Sequence, residues 1–260
     1  MMHSHSQSYR PKKSLGQNFL IDRNYQLKIV EAVRADYRQQ TILEIGPGRG
    51  AITDHLVSFA RQLVLIEKDV LLAKALARKY HAQKHVRVIE GDFLNWEGTL
   101  PGEVLVVGNL PYNVASQIFI KLLRKGAPYK TLFLMFQKEV AERCVASPGN
   151  KDYGILSVWS RLLSQPKILF HLPPTVFNPK PKVQSAFVRF DLLGVAYEQE
   201  KDFISFVKRV FGQRRKKIST ILKKELRHLG TLTNEVATLL DLRAEVLGID
   251  SLKLVFDAIR

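Results

Sequence analysis

Gly108-Asn109-Leu110-Pro111-Tyr112 closes a run of four apolar β-formers at residues 104–107. Proline ends a strand ladder, and an amide and a phenol are costly to bury without partners. Such groups at a strand end either mark a plain stop or face a reactant. These types suit one chemistry. An exocyclic amine such as adenine N6 is a weak nucleophile, because its lone pair is delocalised into the ring. Two acceptors on its N–H groups can orient it and favour a tetrahedral nitrogen. The Asn109 side-chain oxygen and a backbone carbonyl of Leu110 or Pro111 can supply them, with the proline holding the backbone. Tyr112 offers a flat π-face for an extruded base.

A second constellation precedes it. Glu44, Gly46, Gly48 and Gly50 stand in Glu-Ile-Gly-Pro-Gly-Arg-Gly, where glycines allow a sharp turn and a close backbone approach to a ligand. Glu67 follows about 20 residues beyond the glycines, the spacing of an acid that accepts both hydroxyls of a ribose. Asp92 ends a third apolar run, where a carboxylate can accept from an adenine amino group. Taken singly, Glu67 could be a solvated strand end and Asp92 a helix N-cap. Together they describe one adenosine crevice. The spacing G-x-G-x-G is not the dinucleotide fingerprint, and no Walker lysine follows, so an ATP loop is excluded. S-adenosylmethionine and a nicotinamide dinucleotide remain. Asn-Leu-Pro-Tyr separates them: hydride transfer has no task for it, whereas methyl transfer to an amine does. The sulfonium is already a good electrophile, so position and electrostatics can carry the rate without a strong general base.

These residues need a scaffold that brings strand ends together. Strands are expected at 41–46, 62–69, 86–92, 103–109 and 131–137, and helices at 24–38, 50–60, 70–80, 115–126 and after 137, with Asp22 or Asn24 capping the first. The strands are almost continuously apolar and alternate with helices, the signature of a parallel sheet covered on both faces. Right-handed crossovers make this a doubly wound α/β domain, with ligands at the carboxyl ends of its strands. The pattern changes near 191–202, and residues 203–260 carry only helical signals, read as a small all-α domain. The expected division is 1–192 and 193–260.

The chain has 260 residues with Lys+Arg 40 against Asp+Glu 24, net +16. That excess favours polyanions, nucleic acid first. Residues 208–227 hold nine Lys or Arg against the single Glu225. Four of them, Arg214 to Lys217, are consecutive and cannot share one helical face, so only a subset is expected to meet phosphates. The lone Cys144 excludes an internal disulfide and a thiolate metal cluster, and is read as a small buried hydrophobe. The first residues lack an apolar core, so no signal peptide is expected, and His3 and His5 are assigned to a polar tail. No apolar run is long enough to span a membrane.

At this point the chain resembles the rRNA adenine N6,N6-dimethyltransferase family of the bacterial KsgA type. The resemblance rests on KKSLGQNFLID (12–22), LEIGPGRGAIT (43–53), IEKD (66–69), EGDFL (90–94), GNLPYNVASQI (108–118), the stretch from MFQKEVAERC (135–144) to 158, VFNPKPKVQSAFVRF (176–190) and FGQRRKKIST (211–220). It implies a Rossmann-like class I S-adenosylmethionine-dependent methyltransferase domain followed by the helical one. Gln17, Asn18 and Leu20 then close over the methyl donor, and Gly46, Gly48, Glu67, Asp92 and Asn109 bind it. Asn109, Leu110 and Tyr112 serve the reacting end, and Phe177 stacks on the adenine opposite Tyr112. Read from the residues alone, Phe177 sits in a proline-stiffened loop with two lysines, or in the core beneath a surface crossover. The implied substrate is a pair of adjacent adenosines near the 3′ end of small-subunit rRNA, presented by an immature small ribosomal subunit, in the cytoplasm, with the enzyme a monomer.

Three alternatives stand beside this. Close relatives methylate one large-subunit adenine and confer antibiotic resistance. That branch more often carries Ile where Leu110 stands, and this chain also carries FGQRRKKIS. A nucleotide-dependent oxidoreductase lacks its glycine fingerprint here. A non-catalytic assembly factor would have no use for intact Gly46, Glu67, Asn109 and Tyr112.

Overall fold

The structure is a computed structural model that describes residues 9, 11–12, 15–123, 128–194, 199–228 and 230–260. His3 and His5 lie outside them. Its elements in chain order are β1 (Phe19–Leu20), α1 (Arg23–Asp36), β2 (Thr41–Ile45), α2 (Thr53–Leu56), β3 (Gln62–Glu67), α3 (Val70–Lys79), β4 (Val86–Glu90), β5 (Val104–Asn109), α4 (Ala115–Leu122), β6 (Tyr129–Gln137), α5 (Lys138–Val145), α6 (Ile155–Leu163), β7 (Ser164–Leu172), β8 (Phe177–Asn178), β9 (Ser185–Leu192), α7 (Glu200–Gly212), α8 (Ile218–Ile221), α9 (Lys223–Leu226), α10 (Asn234–Leu240) and α11 (Ile249–Ala258). They fall into two compact units, one of residues 1–138 and 170–187, the other of residues 139–169 and 188–260.

The first unit has the expected α/β architecture. Its strand order is β4-β3-β2-β5-β6, continued by residues 185–187 of β9 and 170–172 of β7. The pairs β2–β3, β2–β5, β3–β4 and β5–β6 are parallel. Every residue of β2 is buried, and β5 is buried up to Asn109. Both faces of these strands are covered, which is why they read as unbroken apolar runs. β2 lies between β3 and β5, so the chain order reverses beside it. Ile45, Glu67 and Asn109 end their strands on that one edge, the place where such sheets bind ligands.

Asp22 caps α1, its carboxylate accepting from the amides of Asn24 and Tyr25, and Ile29, Val30 and Val33 bury the inner face. Asp69 does the same for α3. The helix expected over 50–60 shrinks to the four residues of α2. Gly48 and Gly50, at φ 61° and 85°, spend that stretch on turns. β1 and β8 form a separate antiparallel pair, Phe19 opposite Asn178 and Leu20 opposite Phe177.

In the second unit, Tyr153, Phe203, Phe206, Phe211 and Phe256 form the aromatic core, and the buried Tyr153 hydroxyl donates to the Leu247 carbonyl at 3.0 Å. Cys144 is fully buried. The unit draws in α6 and the adjoining ends of β7 and β9, so its members are not contiguous in sequence. The stretch from 203 is not one helix. α7 ends at Gly212, and residues 213–217 form a turn in which Lys217 bridges Arg243. Arg214 to Lys217 therefore never share a helix. Among the described residues no helix is long and apolar enough to cross a membrane.

Candidate active site

The loop after β2 makes the floor of a cavity. Gly46 and Gly48 adopt φ 68° and 61°, which L side chains rarely tolerate. The Gly46 amide donates to the Ile66 carbonyl at 2.9 Å, tying the loop to β3. The Gly48 amide donates to Glu67 Oε2 at 2.9 Å, and the Asp69 amide to Oε1 at 2.8 Å. Glu67 is thus held by its own backbone surroundings, and each oxygen keeps a lone pair for a ligand hydroxyl. Burial raises its pKa above the ordinary range, partly offset by these amides.

Glu44 lies behind the loop, 2% exposed, and accepts from Thr53 Oγ1 at 2.7 Å. Burial pushes its pKa to about 8, against the Thr53 bond, with the Glu67 charge adding to the rise. It lines the same cavity.

β5 delivers the other side. Asn109 ends the strand and its Nδ2 donates to the Asn18 carbonyl at 3.0 Å. Leu110 also lines the cavity and is 1% exposed. Tyr112 lines the cavity and its hydroxyl meets Ser185 Oγ at 2.5 Å. Burial raises the phenol's pKa, so Tyr112 stays neutral and serves as a ring rather than a base.

The N-terminal segment covers this edge. Gln17 Oε1 accepts from the Tyr9 hydroxyl at 2.7 Å and the Lys12 amide at 2.8 Å. Asp69 accepts from the Lys12 ammonium at 2.7 Å and the Tyr9 hydroxyl at 3.0 Å while capping α3. Burial alone would raise the Asp69 pKa; the Lys12 and Tyr9 bonds and two helix amides outweigh it and hold the carboxyl below its usual range. The Arg49 guanidinium stacks over Phe19 at 4.8 Å and donates to the Tyr9 carbonyl at 3.0 Å. A Cβ on Gly48 would stand 3.0 Å from that Phe19 ring.

Of the eleven residues given a catalytic or donor-binding role from the family resemblance, nine line this one cavity: Gln17, Asn18, Leu20, Gly46, Gly48, Glu67, Asn109, Leu110 and Tyr112. Two do not. Asp92 caps a 3-10 turn over Phe93–Asn95, accepting from Leu94, and pairs with Lys68 at 2.8 Å. Phe177 is 3% exposed in β8. Sequence reasoning gave no role to Asp69, Arg49, Tyr9 or Ser185. Asp69 carried a signal, an Asp directly before a helical run; Ser185 carried none. In the second unit, Arg209 pairs with Glu225, Arg214 with Glu245 and Lys217 with Asp241, so part of the basic run is neutralised internally.

Comparison with known proteins follows the same lines. A family model described as ribosomal RNA adenine dimethylase matches residues 9–247. The ribosomal RNA small subunit methyltransferase A of Koribacter versatilis is 37% identical, covering 96% of this chain and 94% of its own. That of Alkaliphilus oremlandii is 42% identical over 82% and 78%. Among solved structures, the 23S rRNA methyltransferase ErmE is 28% identical with a TM-score of 0.71, covering 93% of this chain and 99% of its own. A dimethyladenosine transferase from Plasmodium falciparum, at 24% identity and TM-score 0.79 over 92% and 96%, shares the fold.

Proposed function

The chain belongs to the ribosomal RNA adenine dimethylase family, and from that premise we infer that it methylates N6 of two adjacent adenosines near the 3′ end of 16S rRNA, with S-adenosylmethionine as donor. The products are N6,N6-dimethyladenosines. The observation that carries this reading is the convergence of Glu67, the glycine loop, Asn109 and Tyr112 on one cavity. A glycine loop without Cβ atoms and a held carboxylate suit the adenosine end of the donor. Bound there, S-adenosylmethionine supplies an electrophilic methyl group on a sulfonium.

The protein's part is placement. Glu67 accepts the ribose hydroxyls, and Gln17, Asn18 and Leu20 cover the donor. The target adenine leaves its RNA stack and lies against Tyr112. Its N6–H groups meet the Asn109 side-chain oxygen and the Leu110 carbonyl. N6 would take the methyl as its bond to the sulfonium sulfur breaks, leaving a neutral thioether, and would release a proton to water; a second round with a fresh donor gives the dimethyl product. Phe177 is assigned to the second face of the base and Asp92 to the donor's adenine. Neither is among the residues that line the cavity.

The substrate is an immature small subunit, met in the cytoplasm by a monomer, with basic residues of the second unit on RNA phosphates. The small-subunit reading is favoured over large-subunit methylation because the 37–42% identical relatives are named for the small subunit, against 28% for ErmE. The test is incubation with labelled S-adenosylmethionine and unmethylated small and large subunits. Label in dimethyladenosine of small-subunit rRNA is expected. Label confined to large-subunit rRNA, or none, overturns the reading.

A further inference from the structure

Tyr112 is fixed at two places. Its backbone follows Pro111, whose carbonyl accepts from the Val114 amide at 3.1 Å and closes the turn into α4. Its hydroxyl meets Ser185 Oγ at 2.5 Å. Ser185 opens β9 and is fully buried. The residue before it is anchored as well, since the Gln184 carbonyl accepts from the Lys138 amide at 2.9 Å. A phenol oxygen lies on the axis of its ring. A bond to that oxygen therefore fixes where the axis points and prevents the ring from swinging about χ1. Without that bond the ring at the cavity edge is held by packing alone.

We propose that Ser185 is a positioning residue for methyl transfer: its hydroxyl holds the Tyr112 ring as a preset platform for the target adenine. This rests on the reading of Tyr112 as the stacking face. Ser185 stands at the far end of the segment that begins at Phe177. The same hydroxyl therefore ties the Asn-Leu-Pro-Tyr turn to the loop bearing the second proposed aromatic. A base entering between two aromatic residues gains from stacking only if their spacing is set beforehand. Ser185 is fully buried and is not among the residues that line the cavity, so its effect is expected on the acceptor side through Tyr112.

The experiment compares wild type, Ser185→Ala, Tyr112→Phe and the double variant. It measures kcat/KM for unmethylated small subunits, the Kd for S-adenosylmethionine, and the thermal midpoint. Ser185→Ala strands a buried phenol hydroxyl and lowers the midpoint, while the double variant removes both polar groups and restores it. All three variants lack the bond, and each loses roughly three- to tenfold in kcat/KM for subunits, the worth of one such bond. The double loses no more than either single, and the donor's Kd is unchanged in all three. Turnover that recovers together with the midpoint in the double variant would show a merely structural bond and overturn the proposal, as would multiplicative losses or none. Tyr112→Ala separates the two levels. If it turns over normally, the platform reading itself fails. If it is inactive while the three bond-less variants run at full rate, only the role of Ser185 fails.

Discussion

The side-chain amide of Asn109 is turned by Asn18: Nδ2 donates to the Asn18 carbonyl at 3.0 Å. A carbonyl can only accept, so the amide nitrogen must face it and Oδ1 must face away. Under the proposed roles, the acceptor offered to an adenine amine is thereby set by the segment proposed to cover the methyl donor.

Asn109→Ala is therefore expected to lower kcat by at least about a hundredfold, the scale of removing one preorganised polar group at a reacting centre. Binding to small subunits, measured by sedimentation, should stay near wild type. Asn109→Asp is the sharper case. A carboxylate has no donor for the Asn18 carbonyl, so it repels the cover it should hold. Its KM for S-adenosylmethionine should rise as well as its kcat fall, whereas a purely catalytic amide would leave KM in place.

The cover is latched at Asp69, which is 1% exposed and takes the Lys12 ammonium and the Tyr9 hydroxyl. Asp69→Asn keeps an oxygen for the α3 cap and removes the charge that holds Lys12. We expect a several-fold weaker Kd for S-adenosylmethionine with a thermal midpoint near wild type. Asp69→Ala should lose the cap too, about 1 kcal/mol of stability. Equal donor affinity in wild type and Asp69→Asn, by calorimetry, would remove the latch from the account.

Glu44 makes stability depend on pH. Its folded pKa is raised from 4.5 to about 8, chiefly by burial. Below the unfolded value both states are protonated and nothing is lost. As pH rises through the window between the two values, the unfolded chain ionises and the folded one does not, so folding stability falls. The loss amounts to roughly 3 kcal/mol at pH 7 and levels off above the folded pKa. Glu44→Gln keeps an acceptor for Thr53 and cannot ionise. Its urea midpoint should exceed wild type at pH 8 and match it near pH 4.5. A shallower slope will remain from Glu67, which is raised in the same direction.

The parts of this arrangement differed in how far they could be read from sequence. β2, β3 and β5 were legible because strands buried on both faces must be apolar throughout. Asp22 was legible because an N-cap is a local requirement of the amides it satisfies. The β1–β8 pair was not, since two residues carry no periodicity and their partners come from opposite ends of the chain. The break after Gly212 leaves no mark in the apolar pattern, because apolar spacing continues across it, through Ile218 and Leu222. Ser185 lay within the quoted stretch 176–190 but pointed to no role, because a serine opening a strand is ordinary until its partner across the fold is known. Phe177 and Asp92 matched their motifs by residue type, yet a core contact and a helix cap satisfy the same types.

Gly108 stands directly before Asn109 at the end of β5. It lies outside the left-handed region, so what it requires is the absence of a side chain. A Cβ there would stand 2.7 Å from Leu110 Cδ2 and 3.1 Å from the Ile45 carbonyl. Leu110 is 1% exposed and has little room to retreat, and the carbonyl belongs to the central strand β2. Gly108→Ala must then push Leu110, and with it the backbone of Asn109 and Leu110, away from the sheet. A stability loss of about 1–3 kcal/mol is expected from overpacking. Turnover at saturating donor should fall further than the folded fraction does, because the displaced atoms are the proposed acceptors. Trimming the obstacle with Leu110→Val in the same chain should recover part of both. If the urea midpoint recovers and turnover does not, the backbone carbonyl of Leu110 has stayed displaced, and its position relative to N6 is what Gly108 protects.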